Sequence, residues 1–297
     1  MQAVLPSARI GQMAPFSIQS LFTDSCGSGF VSLISPPTTR WWFSMTVVRR
    51  VARTLAYPRP PTVHHPALMI APNVKMRAVL FDWSGTLFHE TVPLPELVLT
   101  AATRLGRIMS PREAQELVAR GVRALESDPD VIAAERERDR SAAAHRNADR
   151  VWLRAAGLAD DELIEGIYEL FIARGMRPYP DTERALRDLR GIGVPVAIVS
   201  NCGWDIRRNF VEHGLERYVT AFALSFEHGV VKPEPELFRL ACELLAVEPG
   251  EALMVGDDPL TDGGAARTGI ATLILPAVPP GAHRGLDLPI RLLRSGT

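Results

Sequence analysis

Ala78-Val79-Leu80-Phe81-Asp82-Trp83-Ser84-Gly85-Thr86-Leu87 is the stretch on which the reading of this 297-residue chain turns. Four apolar residues run into an aspartate, and the chain then turns through a glycine. A run apolar on both faces reads as a central parallel strand covered by helices on each side. Asp82 therefore falls at the carboxyl end of a buried strand, the edge at which open α/β sheets bind ligands. A carboxylate there is costly unless a cation or hydrogen-bond donors meet it. An aspartate that merely caps the turn after a strand is the competing reading.

Downstream, from Pro178, the chain alternates strands and helices. A helix over 181–190 stops at Gly191 and Gly193, and the apolar run 194–199 ends at Ser200-Asn201. A helix over 203–213 leads to strand 221–224, and Lys232-Pro233 precedes a helix over 235–246. Strand 252–255 ends in Gly256-Asp257-Asp258, followed by helix 261–268 and strand 271–275. This rhythm predicts an α/β fold with a doubly wound parallel sheet. The tail from Pro276 is rich in proline and arginine and has no assignable pattern.

Between the first strand and Pro178 the pattern is helical. A helix starts at Pro93 or Pro95 and runs to about Ile108, and Ser110-Pro111-Arg112-Glu113 has the form of a capping box. A third helix is expected over 130–156, its alternating run Glu135–Arg140 reading as a solvated face, and a fourth over 160–174. Four antiparallel helices of this size make a small inserted bundle. The expected organisation is a core from 76–90 and 176–297, a helical insertion over 91–175, and a separate segment over 1–75.

Residues 1–75 carry seven basic residues against one acid, so the segment is +6 and the remainder of the −1 chain is −7. The segment reads as a disordered or over-long N-terminal extension, with Met69 or Met76 as alternative starts. An arginine-rich, acid-poor organelle transit peptide is the competing reading. The overall balance gives no general pull toward nucleic acid or membrane surface, and no apolar run approaches the roughly 18 residues of a span. Cys26, Cys202 and Cys242 suggest neither a disulfide framework nor a zinc site. A cytoplasmic monomer or homodimer acting on a small molecule is expected.

The polar groups that end the apolar strands form a constellation: Asp82, Ser200, and Asp257 with Asp262. Lys232 follows the third strand by a short loop, and from residue 76 onward it is the only lysine. In a doubly wound sheet these loops open on one edge, so the groups can converge. The alternatives are a helix N-cap for Ser200 and a surface ion pair for Lys232.

These residues resemble the haloacid dehalogenase (HAD) superfamily of phosphotransferases and hydrolases. Asp82-Trp83-Ser84-Gly85-Thr86-Leu87 is similar to its first motif, Asp-x-Asp-Gly-Thr-Leu. Ser200, then Lys232, then Asp257-Asp258 with Asp262 resemble the second, third and fourth, and the helical insertion stands where the family carries a helical cap. The resemblance implies that Asp82 is a nucleophile forming an aspartyl-phosphate. It implies Mg²⁺ held by Asp82, the Ser84 carbonyl and Asp257, with Asp262 on the metal side or orienting Lys232. Ser200 and Asn201 would hold phosphate oxygens, Lys232 would neutralise charge, and Trp83 and Trp204 would line the pocket. Among insertion groups, Arg112, Arg120, Arg123, His145, Arg146 and Arg150 could meet an anionic substrate.

The departure is Ser84. The family's phosphatases have there a second aspartate that protonates the leaving group, help worth about 10²–10⁴-fold. Three readings follow. One is a Mg²⁺-dependent phosphatase on a small phosphorylated metabolite, with His89 or an insertion residue as acid, or acting on an acyl phosphate. Another is C–X hydrolysis of the 2-haloacid dehalogenase kind. Phosphonoacetaldehyde hydrolases have a similar Asp-Trp-Ala-Gly-Thr, but their Schiff-base lysine has no counterpart in 88–177. The last is a catalytically weak binding or regulatory module, although P-type ATPases carry threonine at this position and still form aspartyl-phosphate.

Overall fold

The computed structural model describes residues 76–295; the expectations for 1–75 lie outside them. β1 (Ala78–Phe81) is the middle strand of a five-stranded sheet ordered β5-β4-β1-β6-β7. Its partners are β4 (Val196–Ser200) and β6 (Ala252–Gly256), flanked by β5 (Ala221–Leu224) and β7 (Ala271–Ile274), every pair parallel. Leu80 stands opposite both Ala197 and Met254.

All four residues of β1 are fully buried, as a strand covered on both faces requires. Side chains alternate between faces, so Val79 and Phe81 enter one core and Ala78 and Leu80 the other. The first core is closed by α6 (Thr182–Gly191), α7 (Arg207–Glu212) and α10 (Asp287–Ser295), the second by α9 (Pro235–Leu244).

The helical insertion holds α1 (Leu94–Arg104), α2 (Pro111–Ser127), α3 (Pro129–Glu137), α4 (Ala142–Ala155) and α5 (Asp161–Ala173) around a separate apolar cluster. Leu97, Val98, Leu117, Trp152 and Ile167 are at its centre. Two short antiparallel strands, β2 (Phe88–Glu90) and β3 (Met176–Pro178), close the insertion at its base. The capping box at Ser110 forms as the sequence indicates: Ser110 Oγ accepts from the Glu113 N–H at 3.2 Å, and Glu113 accepts from the Ser110 N–H at 2.6 Å.

Several elements differ from the sequence reading. The helix expected over 130–156 is two helices separated by a short 3₁₀ turn, Arg138–Arg140. Ser141 breaks it, because an extended serine whose hydroxyl accepts from the Ala144 N–H starts α4 afresh. The run Glu135–Arg140 is not a solvated face, since Arg138 and Asp139 within it are buried. The helix expected over 203–213 begins only at Arg207, because Cys202 N–H is held by Ser225 Oγ and Asp205 receives the Arg207 N–H. Residues 262–268 form a 3₁₀ helix, and the tail from Pro276 ends in the short helix α10, whose Ile290 and Leu293 enter the core. The remaining helix, α8 (Ser225–His228), is a single turn after β5.

Candidate active site

The loops after β1, β4, β5 and β6 meet on one edge of the sheet, and the expected residues meet with them. Asp82 continues β1 through its N–H to Val255 O and carries its carboxylate into a cavity of about 120 Å³. Ser84, Ser200, Asn201, Lys232, Asp257 and Asp262 line the same cavity, as do Trp83 and Trp204.

Lys232 is the centre of the polar cluster. Its ammonium donates to Asp82 Oδ1 and to Asp262 Oδ1, each at 2.6 Å. It is not a surface ion pair: the lysine is 4% exposed. Asn201 fixes its backbone from both sides, accepting from Lys232 N–H at 2.7 Å and donating to Lys232 O at 2.9 Å. Asp262 is largely committed as well, because its Oδ2 accepts the N–H groups of Asp257 and Asp258, both at 3.0 Å. Gly85 is in the left-handed region at φ +88°, and a Cβ there would stand 2.4 Å from Asp257 Oδ2. Only glycine lets the turn pass so close to that carboxylate.

Asp82, Asp257 and Asp262 offer carboxylate oxygens that all lie within 4.8 Å of one another. One lysine cannot neutralise three carboxylates. Burial pushes the Asp82 carboxyl up to about 7; Lys232 opposes the shift, and Asp262 and Asp257 add to it. Burial also works against the Lys232 ammonium, but Asp262 and Asp82 outweigh it and hold its pKa above the usual lysine value. Excess negative charge on hard oxygen ligands fits a small divalent cation such as Mg²⁺. Asp262 is engaged by Lys232 and two amides, and Asp82 by Lys232.

Other groups fall elsewhere. Of the six insertion residues named from sequence, only His145 lines the cavity. Arg112 and Arg146 pair with Glu116 and Glu165 on the surface, Arg120 donates to Ala156 O, and Arg123 and Arg150 are exposed. His89 bonds the Glu90 carbonyl and packs on Tyr179 rather than lining the cavity. The sequence reading missed Arg138, Arg174 and Phe171, which do line it. Arg138 makes a two-pronged bond to Asp149, at 3.0 and 3.1 Å, and contacts His145 Nε2. Arginine only donates, so His145 Nε2 accepts. Its proton is then on Nδ1, which lies 3.2 Å from Tyr168 Oη and 3.6 Å from Asp149.

The insertion is seated on this edge by its 3₁₀ turn. Ser225 Oγ donates to Asp139 O at 2.6 Å, and Arg140 pairs with Glu234, two residues past the lysine. A Cβ on Gly203 would fall 2.2 Å from the His145 side chain. Gly203→Ala is therefore expected to destabilise the protein by about 1–3 kcal/mol through overpacking, measured by urea unfolding.

The haloacid dehalogenase-like hydrolase family model matches residues 76–269. The chain belongs to this hydrolase family. A phosphoserine phosphatase from Thermus thermophilus is 37% identical to it over 117 residues, 39% of this chain and 47% of that enzyme, so the match spans less than half of that relative. A ribulose-1,5-bisphosphate 5-phosphatase from Halopiger xanaduensis is 30% identical over 66% of this hydrolase and 83% of its own length. An (S)-2-haloacid dehalogenase from Burkholderia cepacia is 29% identical over 32% of this chain and 42% of its own. Among solved structures, a HAD phosphatase from Thermococcus onnurineus superposes with a TM-score of 0.51 at 25% identity, covering 73% of this chain and 98% of that one.

Proposed function

We propose that this hydrolase is a Mg²⁺-dependent phosphatase acting on a small phosphorylated metabolite through an aspartyl-phosphate on Asp82. The observation that carries the reading is the buried cluster in which Lys232 bridges Asp82 and Asp262 beside Asp257, with carboxylate in excess over ammonium. Asp82, Asp257 and the Ser84 carbonyl would hold the metal, which when bound neutralises the carboxylate and phosphate charges that would otherwise repel.

This chain's own residues supply the rest. Lys232 holds one oxygen of Asp82, so the other is the one that attacks phosphorus. Asn201 keeps the lysine in place, and the Asp262 carboxylate locks its ammonium. Ser200, buried at the end of β4, and Asn201 face the bound phosphate oxygens. Trp83, Trp204 and Phe171 wall the cavity and limit the access of water to phosphorus while the Asp82 carboxylate displaces the leaving group.

Ser84 cannot protonate a leaving group at neutral pH, and His145 has its acceptor nitrogen turned to Arg138. A substrate whose leaving group departs without a proton, such as an acyl phosphate, suits this site better than an alkyl monoester. The test is hydrolysis of acetyl phosphate and a panel of phosphomonoesters by the full chain, with Mg²⁺ or with chelator. Acetyl phosphate should be turned over fastest, and chelator should stop it. Ser84→Asp should raise the monoesterase rate by about 10–10²-fold, restoring part of the general-acid contribution. Halide release from a 2-haloacid that survives chelation, with no phosphate release, would replace this reading with carbon–halogen hydrolysis.

A further inference from the structure

The tail that has no sequence pattern returns to the catalytic turn. Arg284 is 2% exposed, and its guanidinium donates to three backbone carbonyls: Gly85 at 2.6 Å, Leu275 at 3.2 Å, and Pro276. It also lies over the Tyr179 ring at 5.8 Å. The segment that carries it is clamped, because Asp181 accepts the N–H groups of Arg284, Gly285 and Leu286 at 2.8–2.9 Å. A buried guanidinium must satisfy its donors or bear a large desolvation cost. Here that requirement ties residue 284 to residue 85.

The bond to Gly85 falls at a sensitive place. Gly85 is in the left-handed region and approaches Asp257, so the orientation of its peptide sets where the turn passes that carboxylate. Its neighbour Ser84 presents the preceding carbonyl. Within the turn, Gly85 N–H donates to Phe88 O at 2.7 Å, and the Leu87 and Phe88 N–H groups donate to Trp83 O at 3.0 and 2.9 Å. Tyr179 N–H and Thr182 Oγ1 donate to Leu87 O at 3.0 and 2.7 Å. These leave the Gly85 carbonyl to the arginine, whose planar fork reaches carbonyls in divergent directions as a lysine cannot.

We propose that Arg284, which lies beyond the region matched by the family model, is a positioning residue for the Asp82–Phe88 turn. Through Gly85 it fixes the Ser84 carbonyl and the approach to Asp257. Its consequence for metal binding rests on the phosphatase reading; its grip on the turn does not.

The experiment compares the full-length wild type with Arg284→Met, Arg284→Lys and a reference variant, Ile290→Ala, which removes core packing from α10 but none of the hydrogen bonds to the turn. Amide hydrogen exchange of the peptide covering residues 83–88 is read on the metal-free proteins. Mn²⁺ affinity is read by electron paramagnetic resonance, and kcat and KM with acetyl phosphate. Arg284→Met should speed exchange of that peptide and weaken Mn²⁺ binding by roughly tenfold, the scale of losing an outer-shell support. It should lower kcat with KM little changed, and Arg284→Lys should recover part of each effect. Ile290→Ala should lower the melting temperature and leave exchange of the turn and Mn²⁺ affinity as in the wild type. If Arg284→Met folds poorly, Arg284→Lys carries the same comparison. Exchange of residues 83–88 in the arginine variants no faster than in Ile290→Ala would overturn the proposal. A wild type that binds no Mn²⁺ would instead remove the metal-dependent reading, and the exchange result would still decide the role of Arg284.

Discussion

Asp82→Asn is expected to lower turnover of every phosphorylated substrate by on the order of 10⁴-fold or more, the scale of deleting a covalent nucleophile. The amide is nearly isosteric and its oxygen is a poor nucleophile, so the loss falls on chemistry rather than shape. The fold should survive, because Lys232 keeps its second bond to Asp262 and the neutral amide relieves a crowded acidic cluster. Burial already drives the Asp82 carboxyl toward its neutral form, so a permanently neutral side chain adds no new unpaired charge to the interior. Steady-state hydrolysis of acetyl phosphate and a thermal melt measure the two halves of this prediction. In the wild type, rapid acid quench and mass spectrometry should find phosphate on the peptide carrying Asp82, and in the variant none. Activity within tenfold of the wild type would place the nucleophile elsewhere.

The sheet and its catalytic edge were legible because their signals are local and repeated. An apolar run ending in a polar residue recurs at Asp82, Ser200 and Asp257, and parallel pairing brings these strand ends together whatever the loops do. Lys232 stood out by composition, as the sole lysine after residue 75, and it is the residue that ties the acids together. The insertion was less legible. Alternating charge over 135–140 looks the same whether the face is solvated or folded inward against Asp149 and His145, and only tertiary partners 7 to 11 residues away decide it. Arg174 and Phe171 gave no signal either, since an arginine after a helix and an aromatic on its apolar face are ordinary there. Ser141 could have been found: a serine inside a long helical run is a restart signal in its own right. Arg284 could not, because its three carbonyl acceptors belong to residues that carry no side-chain signature for it.

Arg138→Met should destabilise the protein by about 3–5 kcal/mol, the cost of leaving buried carboxylates without their cation. Arg138 is 2% exposed and meets Asp149 with two hydrogen bonds, while Glu135 and Asp139 each lie 3.5 Å from it. Burial alone would depress its pKa, and Asp149, Glu135 and Asp139 together reverse that and hold it above the usual arginine value. Methionine fills much of the volume but neutralises none of these acids, so the penalty comes from charge rather than from a cavity. Arg112→Ala supplies the contrast: its pair with Glu116 is on an 86% exposed side chain, and its loss should not be measurable by urea unfolding. Adding Asp149→Leu to Arg138→Met should recover part of the loss, because a pair removed whole costs less than a pair broken. The effect should reach the active site as well. His145 loses the donor to its Nε2, and the 3₁₀ turn that seats the insertion through Asp139 and Arg140 is the segment Arg138 anchors. The double variant should therefore regain stability without regaining kcat/KM, since packing is restored and the seating of the turn is not. An Arg138→Met variant as stable as Arg112→Ala would mean that the charged run faces water after all, and that the insertion closes over the cavity by its apolar contacts alone.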